Sequence, residues 1–158
     1  MEKNSATVIK RTLWIALTVG VMALITWFSS QPGGSSQNMS MGLVDTIAQW
    51  FGLSLTPEQG NFLNLLARKT AHFTLYFCMG VGAAGSWMTF RVRRGCQLAA
   101  AILICAAFAA TDELHQWLAD AGRQGSGWDV LLDTIGAGCG SGGFFALNFL
   151  VQWRRQSD

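Results

Sequence analysis

Apolar residues gather into four long runs separated by short polar stretches: Leu13–Phe28, Ala71–Phe90, Leu98–Leu118 and Val130–Trp153. Each approaches the roughly 20 residues that a helix needs to cross ~30 Å of hydrocarbon. Trp14, Trp27, Trp87, Trp117, Trp128 and Trp153 stand at or near the run ends, where an amphipathic ring prefers the membrane surface. The pattern predicts transmembrane helices over 12–30, 68–90, 96–118 and 129–153. Basic residues precede the first run, as in a signal peptide. The following Trp27-Phe28-Ser29-Ser30 lacks small residues at the positions a cleavage site needs, so the run is expected to stay as an anchor.

Residues 31–56 form the one sizeable loop. Ser29-Ser30-Gln31-Pro32-Gly33-Gly34-Ser35-Ser36 has the composition of turns. Within Met41–Leu53, the positions Leu43, Val44, Ile47, Trp50 and Phe51 recur at helical spacing. They predict an amphipathic helix lying in the membrane interface or over the mouth of the bundle. Thr56-Pro57-Glu58-Gln59 then offers an N-cap, a proline at the first helical position and a capping-box glutamine. A helix from there to Phe90 would be about 50 Å long, so a break near Gly60 is expected. Gly80, Gly82 and Gly85 in the second run, and Gly136, Gly138, Gly140, Gly142 and Gly143 in the fourth, predict close helix contacts. The fold class is all-α: a single domain, 1–158, built as a four-helix membrane bundle with an interfacial helix in its first outer loop.

Charge orients that bundle. Lys3, Lys10, Arg11, Arg91, Arg93, Arg94, Arg154 and Arg155 are eight of the eleven basic residues, and four crossings place all eight on one side. By the positive-inside rule both termini are cytoplasmic, in the inner (cytoplasmic) cell membrane. Composition agrees: of 158 residues 51% are hydrophobic and only 13% charged, against roughly 25% charged in an ordinary globular domain. A net charge of +2 leaves little to neutralise phosphates, so no nucleic acid is expected as a partner. Cys78, Cys96, Cys105 and Cys139 form no C-x-x-C pair and predict neither a disulfide framework nor a zinc motif.

Ionisable residues inside such segments cost roughly 2.5–3.5 kcal/mol each at a helix centre and mark functional sites by default. Here they cluster near the outer face of three segments. Arg68, His72 and Tyr76 follow one another at four-residue steps and drift only about 80° around a helix. Asp112 precedes His115 by three and Gln116 by four, so those three are expected to cluster, with Glu113 at the flank. Asp129 and Asp133 are four apart, and Gly136 and Gly140 continue their stripe within about 60°. Arg123 lies in a glycine-rich loop between the third and fourth runs, able to close over the site.

These residues resemble the VanZ-like family, whose best-known members are associated with resistance to the glycopeptide teicoplanin. The similarity spans most of the chain: Phe28-Ser29-Ser30-Gln31-Pro32 with Ser35 and Ser40; Arg68-Lys69-x-x-His72-Phe73-x-x-Tyr76; Asp112-Glu113-x-His115-Gln116; and Arg123 with Asp129-x-x-x-Asp133-x-x-Gly136. Asp133 stands where many members have Asn. The resemblance implies topology and site residues rather than a reaction.

Two readings of the site follow. In one, the chain acts on a membrane lipid or lipid-linked substrate as a hydrolase or transferase. Arg68, Lys69 and Arg123 hold an anionic headgroup, with Tyr76 and Gln116 completing the binding set. Asp112 orients His115 as general base, and His72, Glu113, Asp129 and Asp133 supply further acid–base groups. A divalent metal among His72, Glu113, His115 and Asp129 is a variant of this reading, although Glu113 and His115 diverge by about 160° on a helix. In the other, the cluster binds lipid or antibiotic, or relays protons in transport, without catalysis. One chain shows neither the midplane site nor the repeats of a transporter; a homodimer would supply the repeat.

A membrane-impermeant thiol reagent should label Ser36→Cys and not Arg93→Cys in intact cells; the opposite pattern would invert the orientation.

Overall fold

The structure, a computed structural model, describes residues 2–31, 33–118 and 126–157. They form five helices: α1 (Glu2–Ser29), α2 (Gly33–Trp50), α3 (Pro57–Trp87), α4 (Arg94–Leu118) and α5 (Gly127–Ser157). α3 is the central rod and packs against each of the other four. α1, α4 and α5 are the three helices long and apolar enough to cross a membrane. Their outward faces carry large apolar side chains such as Leu13, Leu24, Leu103 and Leu150, all exposed on the bundle surface.

α3 falls outside that apolar set for a reason visible in its sequence. Its C-terminal half is built from Gly80, Gly82, Ala83, Ala84 and Gly85, all buried, and its N-terminal half carries Arg68, Lys69 and His72. A rod wrapped by other helices needs small residues that admit their backbones, not a greasy surface.

Those glycines are contact points. A Cβ on Gly80 would meet the backbone of Ala137, one on Gly140 the backbone of Phe77, and one on Gly136 would lie 2.8 Å from the Phe73 carbonyl. Toward α1, a Cβ on Gly82 would come within 2.7 Å of the Thr18 hydroxyl, and one on Gly85 would strike the Trp14 ring. The Ser141 hydroxyl donates to the Gly80 carbonyl across the α3–α5 contact, 3.0 Å, fully buried. Small residues line the core elsewhere too: Ala84, Ala101, Cys105, Ala109 and Ala137 are fully buried. Cys78, Cys96 and Cys139 are exposed, and all four cysteines are free thiols.

Three local expectations are corrected. Helix α2 begins at Gly33, so most of the segment with turn composition is helical. The hydroxyls of Ser40 and Thr46 bond back to the Ser36 and Gly42 carbonyls of the same helix, and so do not draw the backbone into turns. α3 runs unbroken through Gly60, where a Cβ would find only the Met41 sulfur at 3.8 Å. Its start carries the expected capping box, with Gln59 N–H donating to the Thr56 hydroxyl and Thr56 N–H donating to the Gln59 side chain. At its far end α3 stops at Trp87, short of Phe90. The chain turns there, and Arg11 holds the turn by donating to the Thr89 hydroxyl (2.9 Å) and stacking over the Phe90 ring.

Gly140→Ala should destabilise the protein by about 1–3 kcal/mol, because the facing group is backbone and cannot move aside. Gly138→Ala, with open space at its Cβ position, should be neutral. Thermal unfolding of the two variants in detergent checks the difference.

Candidate functional site

The α3–α5 contact also brings polar groups together. Gly136 seats on Phe73, so Asp133, three residues before it, meets His72 on the facing helix. The His72 Nδ1 and an Asp133 oxygen are 3.7 Å apart, with Asp133 2% exposed. Tyr76 is one turn deeper on the His72 stripe, fully buried. α4 brings Asp112, Glu113 and Gln116 to the same place, all buried. Gln116 donates its amide to Asp112 at 3.0 Å, and the Ser29 hydroxyl, at the end of α1, faces the same carboxyl group. Four helices therefore supply one polar cluster at one end of the bundle.

Glu113 also anchors the chain beyond its own helix. It accepts the Ser126 backbone N–H at 2.9 Å, fixing the approach to α5 against the end of α4. At the rim, Lys69 and Asp129 form an ion pair, each partly exposed. The sequence places both residues against substrate; in the fold the pair occupies each with the other.

His115 is placed differently from its expectation. The buried face of α4 follows Ala101, Cys105, Ala109, Asp112 and Gln116, and His115 lies about 80° around the helix from its centre. It is exposed, and Asp112 bonds Gln116 instead. The spacing allows either partner, and the direction of the apolar stripe decides between them. The suggested metal set fails to assemble for related reasons: His115 faces away, Asp129 holds Lys69, and Glu113 holds Ser126. Among the described residues, no three His, Cys, Asp or Glu side chains come together as a metal site. Arg123 lies outside the described residues.

Arg68 is partly buried and has no acidic partner among the described residues. With His72 it lines a cavity of about 540 Å³ between α1, α2 and α3, whose other walls include Ile25, Phe28, Leu43 and Leu75. Ser36, Ser40 and Thr46 of α2 add hydroxyls to this lining. An adjoining cavity of about 700 Å³ shares Phe28, Leu43 and Leu75 and is apolar apart from Thr70 and Thr74. The arrangement suits an amphiphile: one cation and one imidazole at the head, hydrocarbon walls beyond.

Asn64 extends the same helical stripe, although neither charge nor motif singles it out. It is 3% exposed, one turn before Arg68, and its amide oxygen has no partner among the described residues. The signal that could have found it is the four-residue step Asn64, Arg68, His72, Tyr76, which extends the charged stripe by one neutral member. The Tyr76 hydroxyl and one Asp133 oxygen are likewise buried and unpartnered among the described residues. An unmet buried polar atom costs about 1–3 kcal/mol, and such atoms concentrate where a ligand or water completes the set.

Tyr76→Phe should leave thermal stability unchanged or higher, since the hydroxyl has no bond to lose among the described residues. Asp112→Ala should cost about 1–3 kcal/mol by stranding the Gln116 amide. Equal losses in the two unfolding curves would mean that the hydroxyl is satisfied within the protein.

No curated protein and no solved structure matches the chain. A model of the VanZ/LLP1 family does, over residues 14–149. That stretch takes in all of the polar cluster and both glycine faces of α3 and α5. The chain belongs to the VanZ/LLP1 family.

Proposed function

We propose that this protein crosses the cytoplasmic membrane four times, α3 included, with α2 in the outer interface and both termini inside, and acts on the anionic headgroup of an envelope lipid at its outer face. The observation that carries this reading is the Arg68 guanidinium, without an acidic partner among the described residues, lining with His72 an otherwise mostly apolar cavity. A soluble anion gains little from apolar walls, whereas a lipid fills them while its head reaches the cation. Arg68 holds a phosphate or carboxylate through parallel hydrogen bonds. The Ser36 and Ser40 side chains of α2 line the same space and serve polar groups on the head.

His72 is the group placed to exchange a proton with that head. It lines the cavity and has Asp133 behind it at 3.7 Å, the relation of a base and the carboxylate that orients it. Asp112, fixed by Gln116, adds a second carboxyl group to the same cluster. On this reading His72 takes the role expected of His115, and Lys69 with Asp129 closes the rim. Any effect on sensitivity to teicoplanin would come through the lipid so altered.

Purified protein incubated with membrane lipids should change the headgroup mass of one class, seen by mass spectrometry. His72→Ala should abolish the change, Arg68→Ala should weaken lipid binding about tenfold or more, and His115→Ala should leave both intact. Lipid binding that depends on Arg68 without any altered lipid would make the protein a lipid-binding one without catalysis. A headgroup change that survives His72→Ala would remove the proposed base.

A further inference from the structure

The end of the bundle away from the carboxylates holds another cavity, of about 330 Å³, between the start of α4, the end of α5 and the turn after α3. Its polar lining is Arg94, Gln97, Asn148 and Gln152, and Met88, Val92 and Phe145 complete its walls. Three of these groups are already positioned, Asn148 by donating one amide hydrogen to the Phe144 carbonyl at 2.9 Å. An Arg94 terminal nitrogen donates to the Gln152 side-chain oxygen at 2.5 Å. Gln97, 4% exposed, donates its amide to the Phe90 carbonyl at 2.8 Å. A guanidinium has five N–H donors, so the bond to Gln152 leaves most of them to face the cavity and its mouth.

The charged residues nearest this cavity in the chain are arginines. Arg91 and Arg93 precede Arg94, and Arg154 and Arg155 follow Gln152. None of the five has an acidic partner among the described residues. The depth of the cavity is marked by tryptophans: Trp87 ends α3, and Trp153, largely exposed, adjoins Gln152. Such rings sit at headgroup level. A cavity at that level, lined by a cation and amides and followed along α5 by the exposed Phe149, Leu150 and Val151, suits the headgroup of a phospholipid whose chains lie against the bundle.

We propose that this cavity is a binding site for an anionic phospholipid of the leaflet at the basic end, its phosphate held by Arg94 and the amides of Gln97 and Asn148. The neighbouring arginines raise the local concentration of such lipids, as basic clusters beside membrane helices do, while Arg94 gives the site its geometry. The site shares no residue with the outer cavity and does not depend on the reaction proposed there.

Native mass spectrometry of the purified chain tests it, with phosphatidylglycerol, phosphatidylcholine and inorganic phosphate as probes and Arg68→Ala as a parallel sample that separates lipid held at the outer cavity. One phosphatidylglycerol should bind in preference to phosphatidylcholine. Arg94→Gln should weaken it about tenfold, and Asn148→Leu, which keeps the shape and removes the amide, should weaken it in the same direction. Arg154→Gln should leave it bound. Equal retention of phosphatidylcholine, undiminished binding in both cavity variants, or an equal loss in Arg154→Gln would overturn the site, the last by reducing it to diffuse surface charge. Displacement by inorganic phosphate at the concentration of the lipid would make it a site for free anions instead.

Discussion

The contact between the backbones of α3 and α5 sets the position of everything else. Because Gly80, Gly136 and Gly140 admit the facing main chain, the two helices approach more closely than side chains would allow. In lipid this approach is a main source of helix affinity, since hydrocarbon offers no hydrophobic drive between helices. It also fixes register. Gly136 against Phe73 leaves Asp133 opposite His72, so one pattern of missing side chains both joins the rods and builds the polar site. Sliding α5 by one turn, about 5.4 Å, would separate the pair and bring side chains where glycine is needed.

Within that frame the polar cluster is only partly satisfied. Asp112 has Gln116, Glu113 has the Ser126 backbone, and Lys69 has Asp129. The Tyr76 hydroxyl, one Asp133 oxygen and the Asn64 oxygen have no partner among the described residues. The satisfied groups lie toward α4 and the rim, and the unsatisfied ones line the faces of α3 and α5. Such a division separates groups that hold the helices together from groups that the described residues leave open. Arg68, lining its cavity without an acid among those residues, belongs with the second set.

Most of this is legible from spacing and hydropathy. The four-residue steps Arg68, His72, Tyr76 and Asp129, Asp133 are readable because helical period converts spacing directly into a shared face, and the glycine stripes because small residues at that spacing have few other uses. Other features are hidden for identifiable reasons. Whether Asp112 turns to His115 or to Gln116 depends on the side of α4 that faces the bundle, which requires the whole stripe from Ala101 onward. The helical start of α2 is obscured by serines and glycines, whose turn preference is overridden when hydroxyls bond within their own helix. The pairing of Lys69 with Asp129 joins residues sixty positions apart, and no local pattern announces it. Asn64 carries no charge, so nothing in the polar pattern sets it apart from a surface amide.

α3, the most tightly wrapped helix, is also less apolar than the three that pass as spans by composition. Taken as a crossing segment, it has a consequence for biogenesis. Released alone from the insertion machinery it would partition poorly into lipid, with Arg68, Lys69 and His72 near one end and a glycine-rich half at the other. Its integration would wait on α1 already in place and on α4 emerging to complete a hairpin. Assembly of the protein would then be ordered by the ribosome, the most polar rod entering the bilayer in the company of its neighbours.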